Sequence, residues 1–159
     1  MNLLTFPLLV LTLSLVTSTA LAQRYTPSAD GQEIIDSKTG LIWRRCAEGM
    51  TWKVRTCSGS PFFSNQADAM ARAKSAAVEG RAWRLPTMKE LSGIVNVREA
   101  DEGKAAIDPV AFPATPVARF WTSSSVGPGY FMFVGFAEGS TGEGARNSPG
   151  AVRLVRDPK

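Results

Sequence analysis

The chain contains no histidine among its 159 residues. Without an imidazole, Ser-His-Asp and Cys-His catalysis are excluded, and the usual base near neutral pH is missing. Histidine-containing zinc sites are excluded with them. Cysteine is scarce, with only Cys46 and Cys57 present. Ten residues separate them, which is not the Cys-x-x-Cys redox spacing. Two thiols alone are also a poor metal site. An even pair close in sequence in an exported protein is most simply one disulfide, with a redox or metal pair as the alternative.

Charge is missing from one whole segment. Residues 1–22 carry no charged side chain and end in Ala20-Leu21-Ala22. A small-x-small ending after an apolar run reads as a secretory signal peptide cleaved before Gln23. The rival is an uncleaved anchor, because the run approaches the ~20 residues that span a bilayer and no Lys or Arg precedes it. The Ser and Thr content and the Ala-Leu-Ala ending favour cleavage. No cysteine follows the run directly, which argues against a lipoprotein anchor. No later apolar run is long enough to span a membrane. The expected organisation is therefore a signal peptide at 1–22, an N-terminal lead-in at 23–35 and one folded domain at 36–156.

Repeats, heptads and low-complexity tracts are absent as well. Hydrophobic residues make up 44% and charged residues 20%, the composition of a globular domain. The formal net charge is +4 and falls entirely outside the uncharged leader. A basic balance favours anionic partners such as sulfated sugars or acidic surfaces, and export makes nucleic acid a poor partner.

The strongest local signal is Trp83-Arg84-Leu85-Pro86-Thr87, followed by Glu90-Leu91. Pro86 keeps its predecessor extended. Thr87 can then cap a helix, and Glu90 can reach back to the amide of Thr87, completing a capping box. The helix is expected from about Met88 to Val97, burying Leu91, Ile94 and Val95. An earlier helix, capped by Asn65 or Ser64, should run to about Glu79 with Gly80 as its stop. Ala69, Met70, Ala73, Ala76 and Ala77 share its apolar face.

Strand patterns flank the helices. Glu33–Asp36 and Leu41–Arg44 read as a hairpin around Ser37-Lys38-Thr39-Gly40. Arg119–Ser124 is another strand. Tyr130–Phe136 is apolar on both faces and reads as a central, doubly covered strand. Gly139–Gly150 reads as a Gly- and Ser-rich hairpin loop. Ala151–Arg156 is a closing strand, with Val152 and Leu154 on one face and Arg153 and Val155 on the other. Residues 23–29 read as a polar lead-in. Strands at both ends with two helices between them define an α+β layout whose termini can pair in one antiparallel sheet.

Five segments occur in a recognisable order: Thr39-Gly40-Leu41-Ile42-Trp43, then Trp83 to Thr87 with Glu90-Leu91, then Ile107-Asp108 with Phe112-Pro113, then Phe120–Ser124, then Val152–Arg156. Over roughly Asp36 to Arg156 the chain resembles the Lcl C-terminal domain family, long catalogued as a domain of unknown function. The resemblance implies a C-type lectin-like fold and bacterial export. It further implies, as in the family's named member, an adhesin module that binds sulfated glycosaminoglycans. Two features depart from the family. Leu154 stands where many members have cysteine, and there are no collagen-like repeats to trimerise the chain.

Trp43, Trp83 and Trp121 are expected as core aromatics, with ligand contact as the alternative. Arg84 is expected in an ion pair with Glu90 or Asp108, or else as a ligand anchor. The ligand-binding candidates are two basic groups. Arg44, Arg45, Lys53 and Arg55, with Lys38, surround the cysteine loop and face only Glu48. Arg146, Arg153 and Arg156, with Lys159, lie near the C-terminus. Pairing of the terminal strands would merge them, and arginine's planar fork suits sulfate.

A calcium site is not expected, since Glu-Pro-Asn and Trp-Asn-Asp are absent and only Glu138 and Glu143 lie near the Gly-rich loop. Formylglycine-generating enzymes share the Arg-Leu-Pro-Thr stretch, but their reactive cysteines follow it, whereas Cys46 and Cys57 precede it. The expectation is a binding module without cofactor or catalysis. Its partner would be a sulfated glycan or a protein of the periplasm or cell surface.

Overall fold

The computed structural model describes residues 23–78, 80–100 and 103–158. The proposed signal peptide, Glu79, Asp101, Glu102 and Lys159 lie outside the described residues.

Two sheets form the frame. The first has four strands in the order β1-β2-β3-β11, namely β1 (Tyr25–Pro27), β2 (Glu33–Asp36), β3 (Ile42–Arg44) and β11 (Val155–Arg156). The expected hairpin is β2–β3, antiparallel with Ile34 opposite Trp43. The terminal strands do pair: Val155 lies opposite Trp43 and Arg156 opposite Ile42. The lead-in is part of the fold, since Tyr25 lies opposite Asp36, packs edge-on to Phe112 and is buried. Polar neighbours hide this strand from a composition reading, because only one of its side chains faces the core.

The second sheet has the order β6-β10-β7-β8-β9. It comprises β6 (Phe63–Ser64), β7 (Arg119–Gly127), β8 (Tyr130–Gly135), β9 (Ser140–Ala145) and β10 (Gly150–Ala151). The glycine-rich segment is thus a strand over much of its length, not a hairpin loop. Its glycines are where rings lie. A Cβ on Gly142 would meet Phe133 at 2.7 Å, and one on Gly144 would meet Trp121 at 2.9 Å. Strand β8 is interior but next to the edge strand, not central, and Phe131, Met132 and Phe133 remain half-buried, so it is not doubly covered.

The closing segment splits between the two sheets. Gly150–Ala151 joins the second and Val155–Arg156 the first, and residues 151 to 155 are all fully buried. Val152 and Leu154 pack with Trp83, Leu85 and Trp121. Val155 turns to the other cluster, which contains Trp43, Phe112 and Phe120. The expected alternation holds, but its second face is also core.

Helix α1 (Gln66–Ala76) is capped by Asn65, whose side chain accepts from Asp68 N at 2.9 Å. It buries Ala69 and Ala73, while Met70 and Ala77 face solvent, so the apolar face is narrower than expected. Helix α2 (Met88–Ser92) has the expected capping box on Thr87 and Glu90 but stops near Gly93, several residues early. The chain then tightens into a 3-10 turn at Val97–Glu99. Asn96 redirects it by accepting from Arg98 N. A short hairpin of β4 (Thr51–Lys53) and β5 (Thr56–Ser58) carries the Cys46–Cys57 disulfide, which stabilises by ~2–3 kcal/mol through its short loop.

Two carboxylates tie the frame. Burial pushes Asp36 up, but Arg24 donates to both its oxygens at 2.8 Å, Lys38 N and Thr39 Oγ1 add bonds, and the carboxyl ends below its usual range. Burial also raises Glu90, and Arg84 and Thr87 outweigh it in the same way. A depressed carboxyl contributes stability that is present above its unfolded value and lost as pH falls through the folded one. The melting temperature should therefore hold from pH 7 to about 5, then fall below about 4 as that stability is lost. Circular-dichroism melts check this, and an Asp36→Asn/Glu90→Gln variant should show much less of the acid-side fall.

Candidate functional site

The structure separates the basic residues expected to bind ligand. Arg153 is fully buried. Its guanidinium donates to Arg44 O at 2.9 Å, to Arg45 O and to Thr115 Oγ1 at 2.8 Å, and lies over Phe112 and Phe120. Burial pulls its pKa down to about 9, which leaves it charged at neutral pH. Arg45 is only 9% exposed and stacks on Trp52 at 3.8 Å. Neither is available to a polymer on the surface. Lys53 and Arg55 stand exposed on the β4–β5 hairpin, and Lys38 in the β2–β3 turn. Arg146 is exposed beside Gly129 on the second sheet. The two groups do not merge into one patch.

What terminal pairing does unite is Arg44 and Arg156. The register places Glu33 opposite Arg44 and Arg156 opposite Ile42. Opposite and next-but-one residues share a face, so all four point the same way. Trp83 lies against that face, with Arg44 4.8 Å and Arg156 5.3 Å from its ring centroid. Two further arginines complete the site. Arg72 on α1 donates to Glu48 at 2.9 Å, and Arg81, after the helix, lies 4.0 Å from Glu33. Glu33 also accepts from Arg156 at 2.6 Å.

These residues line three successive clefts of about 150, 260 and 570 Å³. The first runs from Trp52 to Arg44 and Glu48. The second shares Arg44 and Glu48 and adds Arg72. The third passes the end of α1 between Arg81 and Arg156. The first two meet at Arg44 and Glu48, and the third begins at Ala77, the residue after Ala76 in the second; the three are termed the groove.

Its electrostatics are one-sided. Glu48 and Glu33 are 8% and 14% exposed in their side chains, whereas Arg72 and Arg81 are 45% and 58% exposed. Arg72 and Arg81 reach outward past these carboxylates, whereas Arg156 is 13% exposed and held against Glu33. Arg44 makes no ion pair among the described residues. Asp157 marks the far edge and accepts from Arg84 at 3.3 Å. Guanidiniums with free N–H groups, one of them lying over an indole, suit planar or tetrahedral oxyanions. Among the described residues no cluster of three or more His, Cys, Asp or Glu could hold a metal ion.

The remaining candidates are structural. Arg84 forms a fork with both oxygens of Glu90 at 2.9 Å, and that bonding holds its pKa above the usual value. Asp108 is not its partner; it accepts from Val110 N and Ala111 N instead. Pro86 accepts from Ser123 N, joining the capped helix to β7. Trp43 and Trp121 are fully buried, and Trp83 is 3% exposed, serving both the core and the groove floor. Arg72 and Arg81 were outside the expected set. The signal for Arg72 was its position beside Ala73 and four residues before Ala76, at the border of the buried face.

An α+β domain with paired terminal strands and an arginine-lined groove beside them is thus defined. The family model described as Lcl C-terminal domain matches residues 32–156. The chain belongs to the Lcl C-terminal domain family. No curated protein matches the chain.

Proposed function

We propose that this protein is an exported, non-catalytic binding module that holds anionic, sulfated glycans along the groove formed by Arg44, Arg72, Arg81 and Arg156. The carrying observation is Arg44, which lies over Trp83, lines two clefts and has no ionic partner among the described residues. Paired terminal strands, two helices and a long connecting region support a C-type lectin-like reading of the fold. Binding on this account needs no calcium, because guanidinium donors and not carboxylate oxygens meet the ligand.

The test is retention on immobilised heparin. The wild type should elute at salt well above physiological, because direct guanidinium–sulfate contacts are closer than the Debye length, which is ~8 Å at ~0.15 M and shortens as salt rises. A variant with Arg44, Arg72, Arg81 and Arg156 all changed to Ser should wash through near ~0.15 M salt. Changing Lys53, Arg55 and Arg146 to Ser should shift elution far less. Co-elution of the groove variant with wild type would overturn the reading.

One observation favours a second role, protein assembly in the bacterial envelope. Val54 stands at the hairpin tip, 88% exposed and at φ 51°, a conformation that β-branched residues avoid. Envelope pull-downs with and without Val54→Gly, which relieves that backbone, would test it. Loss of a specific partner in the variant is the supporting result.

A further inference from the structure

Strand β9 is an open edge. It ends the second sheet and pairs with β8 over six residues with no register shift. An exposed edge offers unpaired N–H and C=O groups to another strand, and proteins usually blunt it with proline, lysine or a bulge. Of the other edges of the two large sheets, β1 carries Pro27, and β6 and β11 are only two residues long. Ser140–Ala145 contains no proline, lysine or arginine, and Glu143 is its one charge.

The register shows which groups are free. Arg146 N donates to Gly129 O, one step beyond the Tyr130–Ala145 pair. Phe136 N donates to Ala118 O, so even-numbered residues of β8 bond towards β7 and odd-numbered ones towards β9. Hydrogen-bonded and non-hydrogen-bonded pairs alternate along an antiparallel ladder. Gly142 and Gly144 therefore bond to β8, while Thr141 and Glu143 turn their N–H and C=O outward. Neither residue's backbone has another partner among the described residues, and both side chains are exposed.

We infer that β9 pairs antiparallel with β9 of a second copy of this chain, about a two-fold axis at Gly142. That axis sets each Thr141 opposite Glu143 of the other copy. Both are outward-bonding residues, so each such pair exchanges both its N–H···O bonds. Each Thr141 hydroxyl then faces a Glu143 carboxylate as donor to acceptor, and the two carboxylates sit diagonally, not opposed. Moving the axis to Glu143 would set the two carboxylates directly opposite, which like charge disfavours. The other face fits as well. Gly142 meets Gly142 of the second copy at a non-hydrogen-bonded position, where Cα atoms approach to about 4.5 Å. The half-buried Phe133 ring lies over Gly142, with Cζ 2.7 Å from where a Cβ would stand. Two such rings meet across the axis and bury their free edges. The inference is independent of what the groove binds.

Sedimentation equilibrium of the purified protein, together with amide hydrogen exchange, tests it. The wild type should form a dimer with Kd ~0.1 mM, weak as expected of a small interface. Exchange at the Thr141 and Glu143 amides should slow as concentration rises through that value. Thr141→Lys sets an ammonium opposite each Glu143 and should tighten the dimer about fivefold. Glu143→Lys removes both carboxylates, leaves like charges in diagonal positions and should weaken the dimer about tenfold. Both residues are exposed, so neither change should move the melting temperature. A monomer at every concentration up to ~1 mM would overturn the inference. So would lysine variants that shift the dissociation constant in the same direction.

Discussion

Replacing Arg153 with methionine should lower the unfolding free energy by about 4 kcal/mol. Methionine fills similar space and removes a costly buried charge, which offsets part of the loss. What it cannot replace are the donors to Arg44 O, Arg45 O and Thr115 Oγ1. Each buried acceptor left empty costs about 1–3 kcal/mol. The cation also lies over Phe112 at 4.9 Å, and that contact goes too. Arg153→Lys should fall between, since a single ammonium cannot serve all three acceptors in fork geometry. Urea unfolding gives the order wild type, lysine, methionine. A methionine variant within about 0.5 kcal/mol of wild type would mean the hydrogen bonds contribute little. Because Arg153 fixes the carbonyls of Arg44 and Arg45, the same bonds hold the strand end from which the Arg44 side chain enters the groove.

Gly144→Val should destabilise by about 3 kcal/mol. A side chain there meets the ring of Trp121, which is fully buried and cannot retreat. The indole is also tethered, donating from Nε1 to Ser64 O at 2.9 Å. Thr141→Val is the control: Thr141 is exposed on the same strand, and its change should stay within about 0.5 kcal/mol. Thermal melts of the two variants separate strand from loop. Equal, small effects would contradict the packing of β9 against the aromatic rings.

How much of this was legible in the sequence depends on the range of the interaction. The capping box was, because Thr87 and Glu90 meet within one turn. So was the pairing of the terminal strands, since alternation at Val152–Val155 and the Leu41–Arg44 pattern each demanded a partner. The strand nature of 140–145 was hidden because glycine there answers to Phe133 and Trp121, which are distant in sequence. The burial of Arg45 and Arg153 was hidden for a related reason: an arginine reads as surface until its acceptors are known. Arg72 and Arg81 join Arg44 and Arg156 only through the docking of α1 on the sheet. Charge counts near the cysteine loop and near the C-terminus therefore reach Arg44 and Arg156 but miss half of the groove.

The most direct test of the groove is chemical-shift mapping with a short heparin oligosaccharide at physiological salt, in chelator. The account predicts saturable shifts at Arg44, Arg72, Arg81 and Arg156 and at the Trp83 indole, with Lys53, Arg55 and Arg146 little changed. Shifts confined to Lys53, Arg55 and Arg146, or no saturable shifts at all, would contradict it.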